Sequence, residues 1–189
     1  MVSNNEDDHA LIKRYLQNED DEALRHLFSR YAGQIHRFLA RFVGSMSDAE
    51  DMAQETFVKA WRHLARVDER SFKTWLFSIA RNVGRDWLRK RRATSFTDFD
   101  DAEGNNAVLD NLEDTADLPD EVLMTKESIE NVRAAIAALS PSSRAVVLLR
   151  HDGELSFEEI AQATDEPMNT VKSRYRRALQ ELKKRLPGS

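Results

Sequence analysis

Three groups of residues in this 189-residue chain have types and spacing that could do chemistry. The first is acidic. Asp48, Asp51 and Glu55 stand three and four residues apart, flanked by Gln54 and Phe57. On a helix they share one polar side. Paired carboxylates could serve acid–base work or a cation. No His or further carboxylate pair stands at matching spacing, so a docking face with charge beside an apolar anchor suits them better.

The second group is aromatic and basic. Phe72, Trp75, Phe77 and Trp87 interleave with Arg81, Asn82, Arg85 and Arg89. Aromatics beside cations can stack unpaired bases and track a single strand. Aromatics at helical spacing also build cores, and Trp75 and Trp87 are assigned mainly there. The polar ridge and the loop at 66–71, with Arg66, Asp68, Arg70 and Ser71, are left for nucleic acid. The third group is Pro167, Thr170, Lys172, Ser173, Arg176 and Arg177. It follows a Ser156–Glu159 cap and a short turn, the layout of a helix-turn-helix whose second helix offers its N-terminal half to a major groove. An ordinary helical hairpin with a basic surface has the same spacing. The coincidence of cap, proline and basic ridge favours DNA.

The elements that must position these groups are helical. Leu24, Leu27, Tyr31, Ile35, Phe38, Leu39 and Phe42 recur at three- and four-residue steps. Gly44 is placed to end that helix. A capping box at Ser47–Glu50 opens the next, with Met52, Ala53, Phe57, Ala60, Trp61 and Leu64 facing inward. Ser71 caps a third helix that runs through Trp87 and Leu88. A further helix carries Val122, Leu123, Ile129, Val132, Ile136 and Leu139, and another begins at Pro141 and ends near Gly153. With 6 Gly and 4 Pro and no alternating pattern, a β sandwich is excluded. The expected fold is all-α: two small helical domains, 1–94 and 120–189, joined by an acidic flexible linker at 95–119. That linker composition predicts no fixed arrangement of the domains.

Charge follows the same division. The net charge is −5, yet residues 81–92 hold six Lys or Arg against Asp86 alone, and 172–185 hold seven against Glu181 alone. Residues 95–121 hold ten Asp or Glu and no Lys or Arg. Two basic blocks separated by an acidic one suit two polyanion contacts joined by a tether. The absence of Cys rules out disulfides and thiolate chemistry and fits a reducing compartment. No apolar run approaches the roughly 20 residues that span a bilayer. The acidic first residues do not form a signal peptide.

Together these stretches resemble the extracytoplasmic-function sigma factors of the bacterial sigma-70 family. Residues 48–57 resemble the family's polymerase-binding helix, 72–82 its −10 segment and 157–178 its −35 helix-turn-helix. The resemblance implies a non-catalytic specificity subunit of RNA polymerase, with no cofactor and no metal. Asp48, Asp51, Gln54, Glu55 and Phe57 would dock on the clamp helices of the largest catalytic subunit, and the second domain would sit near the flap. Arg66, Asp68, Arg70, Ser71 and Asn82 would surround a flipped −10 base, and Arg81, Arg85 and Arg89 would hold phosphates. Pro167, Thr170, Lys172, Ser173, Arg176 and Arg177 would meet the −35 duplex. Lys172 and Asn169 depart from the usual pattern and leave the −35 sequence open. The family implies a cytoplasmic protein controlled by an anti-sigma factor, held at the inner membrane where that factor is anchored there, with no membrane insertion of its own.

Other classes account for less. A decoy that only sequesters an anti-sigma factor has no need of the basic ridge at 172–177. A repressor or activator using the helix-turn-helix alone leaves 48–57 and the acidic linker without a role. An enzyme lacks a phosphate-binding Gly loop, a Ser-His-Asp arrangement and a trusted ligand spacing among the five His.

Overall fold

A computed structural model of the chain describes residues 6–67, 71–94 and 126–186. These residues form eight α-helices and one 3₁₀ turn, with no strand among them. The order is α1 (Asp8–Asn18), α2 (Asp21–Val43), α3 (Met46–His63), the turn Leu64–Arg66, α4 (Phe72–Thr94), α5 (Lys126–Ala137), α6 (Pro141–His151), α7 (Phe157–Thr164) and α8 (Met168–Arg185). The linker at 95–119, with Val122 and Leu123 beyond it, lies outside the described residues.

Side-chain caps set most helix starts. Asp7, Asp20, Ser45, Ser140 and Ser156 each accept a bond from a first-turn N–H that the helix leaves without a partner. Gly44 ends α2 at φ 77°, a left-handed conformation that a Cβ would strain. That turn corrects the expectation at Ser47. It delivers Ser45 with its Oγ 3.3 Å from the Asp48 amide, so Ser45 is the cap and Ser47 lies inside the first turn. The box at Ser156 forms as expected: the Glu159 amide donates to Ser156 Oγ at 3.2 Å, and the Ser156 amide donates to Glu159 Oε2 at 2.8 Å.

The first core is built around α2. Leu27, Ile35, Phe38, Leu39 and Phe42 are fully buried against Met52 and Ala60 of α3 and Leu76, Phe77 and Ala80 of α4. Helices α2 and α4 approach closely at Gly84, where a Cβ would stand 2.5 Å from the Phe42 ring. Trp61 departs from the inward expectation. Ala60 and Leu64 take the inward positions, and the Trp61 side chain is half exposed on the outer face.

The second core is built around α6, whose stretch from Ala145 to Leu149 is buried on all sides. A helix apolar all round must be covered all round. Helices α7 and α8 cover part of it, and α2 and α4 cover the rest. The two halves are therefore packed together, contrary to the expectation of no fixed arrangement. Arg41 pairs with Asp152 at 2.9 Å, Lys73 with Glu154 at 3.4 Å, and the Thr74 hydroxyl donates to Glu159 Oε1 at 3.3 Å. Linker composition bears on the tether, whereas the arrangement here rests on complementary faces of α2, α4, α6 and α7.

Candidate nucleic-acid interface

Helix α4 carries the first basic ridge. Asn82, Arg85 and Arg89 are exposed, and Arg89 pairs with its own-turn neighbour Asp86 at 3.1 Å. Arg81 is different: it is 8% exposed, on a helix packed against α7, within reach of the charges of Asp165, Glu166 and Arg174. Burial lowers its pKa from the usual guanidinium value, the charge of Arg85 adds to that, and Glu166 opposes it. In this arrangement Arg81 is closed off from solvent, whereas Arg85 and Arg89 are open to it.

Beside that ridge Lys59, His63, Arg66, Trp75, Ile79 and Asn82 line an open cleft of about 400 Å³. Trp75 and Ile79 form its apolar wall and the other four its polar rim. Trp75 is half-buried, packed against Phe72 with ring centroids 5.9 Å apart. It thus serves core and cleft at once. The arrangement has the components that stack and hold an unpaired base. Lys59 and His63 were not singled out in sequence, because α3 reaches this cleft only after the chain has turned through Leu64–Arg66. Ser71 is exposed and caps α4 through the Thr74 amide at 3.5 Å, while Asp68 and Arg70 lie outside the described residues. A second opening, of about 720 Å³, lies between Ser71, Phe72, Arg30 and the start of α1. At its edge the Tyr31 hydroxyl donates to Asp8; burial, with Asp8 adding, pushes that hydroxyl far above its ordinary range.

Helices α7 and α8 form the expected helix-turn-helix, joined at Asp165 in left-handed conformation, φ 56°. An ion pair between Arg174 and Glu166 ties α8 to that turn. Pro167 and Arg177 are exposed; Thr170, Lys172, Ser173 and Arg176 are partly so. The Lys172 ammonium lies 6.0 Å over the Phe157 ring, and Ser173 Oγ donates to the Thr170 carbonyl at 2.9 Å. Lys172, Arg176 and Arg177 thus follow one another along the first ten residues of α8, and such cations can donate to acceptors on base edges or phosphates.

On α3 the acidic group faces outward. Asp51, Gln54 and Glu55 are exposed and Asp48 partly so, with Glu55 paired to Lys59 at 2.7 Å. Phe57 is turned partly inward, its ring centroid 5.0 Å from that of Phe28. Among the described residues, no group of three or more His, Asp or Glu is placed to hold a metal ion.

Two family models match the chain: "Sigma-70 region 2" over residues 27–94 and "Sigma-70, region 4" over residues 129–182. The matches fall on the acidic helix, the basic ridge of α4 and the helix-turn-helix. The chain is 30% identical over 176 residues to the ECF RNA polymerase sigma factor SigW of Bacillus subtilis, covering 92% of this chain and 94% of that one. The chain belongs to the extracytoplasmic-function sigma factors. The ECF RNA polymerase sigma-E factor of Haemophilus influenzae is 33% identical over 183 residues, 95% of each chain. Among solved structures, this sigma factor resembles the one titled "CnrH in complex with the cytosolic domain of CnrY" (TM-score 0.68, 24% identity, 93% of this chain and 94% of that one). It also resembles the Bartonella quintana sigma factor RpoE, in complex with the anti-sigma factor NepR (TM-score 0.65, 25% identity, 85% and 94%). As a sigma factor it acts in transcription initiation with RNA polymerase, and its helix-turn-helix lies inside the region 4 match except for the last three residues of α8. None of the described helices is long and apolar enough to cross a membrane.

Proposed function

We propose that this sigma factor is a non-catalytic promoter-specificity subunit with three working surfaces. Asp48, Asp51, Gln54 and Glu55 on α3, with the edge of Phe57, dock on the clamp helices of the polymerase's largest subunit. Asn82 and Arg66 at the cleft beside Trp75, together with Ser71, Asp68 and Arg70, take a flipped −10 base. Arg85 and Arg89 hold the strand, and Arg81 joins them once the halves separate. Pro167, Thr170, Lys172, Ser173, Arg176 and Arg177 meet the −35 duplex. The working division is 1–94 for docking and −10 reading and 120–189 for −35 reading near the flap, with 95–119 as tether.

The observation that supports this reading is the separation of charge on the described surface: an outward acidic face on α3, and basic side chains along α4 and α8. Scale adds a step. Two promoter elements about two duplex turns apart are separated by roughly 70 Å, at about 34–36 Å per turn. A packed chain of this length is only about 40 Å across. The halves must therefore part before both elements are read. The stretch between residues 94 and 126 reaches roughly 100 Å at about 3.3 Å per residue, which is sufficient.

The packed arrangement also suits control by an anti-sigma factor, since the similar Bartonella quintana sigma factor forms a complex with one. Such a partner would favour the packed state in the cytoplasm, or at the inner membrane if it is anchored there. The docking assignment is tested by Asp51→Arg with Glu55→Arg. Both side chains are exposed, so the fold should persist while affinity for bacterial core polymerase falls at least tenfold. Unchanged affinity would remove α3 as the docking helix.

A further inference from the structure

Helix α1 lies outside the residues matched by the region 2 model, 27–94. It nevertheless meets the outer face of α3 at one defined point. The Trp61 indole N–H donates to the Tyr15 hydroxyl at 2.6 Å. Trp61 is 50% exposed, and Val58, one turn earlier on the same face, is 43% exposed. Leu16, the residue after Tyr15, is 46% exposed. Neighbouring exposed apolar side chains such as Val58 and Trp61 can mark an interaction surface, and a Trp is a frequent energetic centre of an interface. Positions 51, 54, 55, 58 and 61 recur at three- and four-residue steps, so Val58 and Trp61 continue the stripe begun by Asp51, Gln54 and Glu55.

We propose that Trp61 and Val58 are the apolar centre of the α3 docking face, and that Tyr15 of α1 is a positioning residue that holds the Trp61 ring in its docking orientation, with Leu16 extending the apolar edge. The inference rests on the docking role assigned to α3 and deepens it. The occupant is the polymerase helix already assigned to Asp51 and Glu55. Its chemistry follows from the stripe: basic side chains opposite Asp48, Asp51 and Glu55, and an apolar side chain one to two turns further on to cover Val58 and Trp61. A docked apolar neighbour displaces water from the indole, while the bond to Tyr15 keeps its N–H satisfied in the drier setting. A free Trp side chain would have to be ordered on docking; one already held loses less freedom.

The test is the affinity of the full chain for bacterial core RNA polymerase, with melting temperature and helical content recorded for every variant. Trp61→Ala should weaken binding at least tenfold, Leu16→Glu severalfold, and Tyr15→Phe about two- to tenfold. In a Trp61→Phe background, which keeps an apolar ring but has no N–H, Tyr15→Phe should add nothing further. That loss of coupling separates positioning from a general contribution of Tyr15 to the fold. Wild-type affinity in Trp61→Ala would overturn the apolar centre. Wild-type affinity in Leu16→Glu would exclude α1 from the face. An equal loss from Tyr15→Phe in both backgrounds would overturn the positioning role. Asp51→Arg with Glu55→Arg serves as the reference: if that pair also binds normally, the docking role of α3 has failed, and if only the Trp61 variants bind normally, this extension alone has failed.

Discussion

The Arg144 guanidinium of α6 donates to the Phe42 carbonyl oxygen of α2 at 2.6 Å, across the junction of the two halves. The same side chain donates to Ile136 at 3.2 Å, to Leu139 at 3.1 Å and to the Ala137 carbonyl. Phe42 lies in the last turn of α2, and Ile136 and Ala137 in the last turn of α5. Helix ends leave carbonyls without partners and carry partial negative charge. One buried cation thus caps two helix C-termini and joins the halves, and these bonds satisfy the donors of an Arg that is only 9% exposed.

Arg144→Met should therefore cost about 2–5 kcal/mol, because buried carbonyls lose charged donors. Urea unfolding measures this. The junction should also loosen, read as an increased radius of gyration in small-angle scattering. A loss below about 0.5 kcal/mol, typical of a surface change, would contradict the capping role.

Arg14 and Asp20 give an acid-sensitive contact. Arg14 Nη2 stands 2.5 Å from Asp20 Oδ2, and Asp20 also caps α2. The bond from Arg14, followed by the amide of Ala23, lowers the Asp20 pKa below its ordinary 3.8. A depressed carboxyl stabilises the fold above its unfolded pKa, and that contribution is lost as pH falls through the folded value. Asp20→Asn keeps a capping oxygen and loses the charge. Its melting temperature should trail the wild type at neutral pH and converge with it once the pH falls below the lowered Asp20 value. A constant gap down to that pH would contradict the assignment.

Arg176→Ala should weaken −35 duplex binding by about 1–3 kcal/mol, with a loss that varies with sequence if the side chain reads a base. Fluorescence anisotropy on a panel of altered duplexes would measure it. An equal loss on every duplex would make Arg176 a phosphate contact.

How far the sequence foretold this structure depends on the range of the interactions involved. Helix periods, the Ser156–Glu159 box, Gly44 and the turn before Pro167 are local features, and they stand as expected. Ser45 replaced Ser47 as a cap because both precede the same run and only the turn at Gly44 decides between them. Trp61 was assigned inward on periodicity, but its partner Tyr15 comes from another helix. Arg81 reads as one more cation of a basic ridge until α7 is packed against α4. Arg144 carries no local signal at all, since its acceptors come from α2, α5 and the segment after α5. The outward acidic face of α3 was recognisable from charge at helical spacing, whereas Lys59 and His63 join the cleft only through tertiary folding.

The most direct measurement is run-off transcription with bacterial core polymerase and a pool of randomised promoter DNA, followed by sequencing of the transcribed templates. A promoter-specificity subunit that reads two elements with α4 and α8 should enrich two sequence blocks at a fixed spacing, and the Arg176→Ala protein should alter only the upstream block. Transcription without enrichment of any spaced pair, or enrichment of one block alone, would contradict reading by both halves.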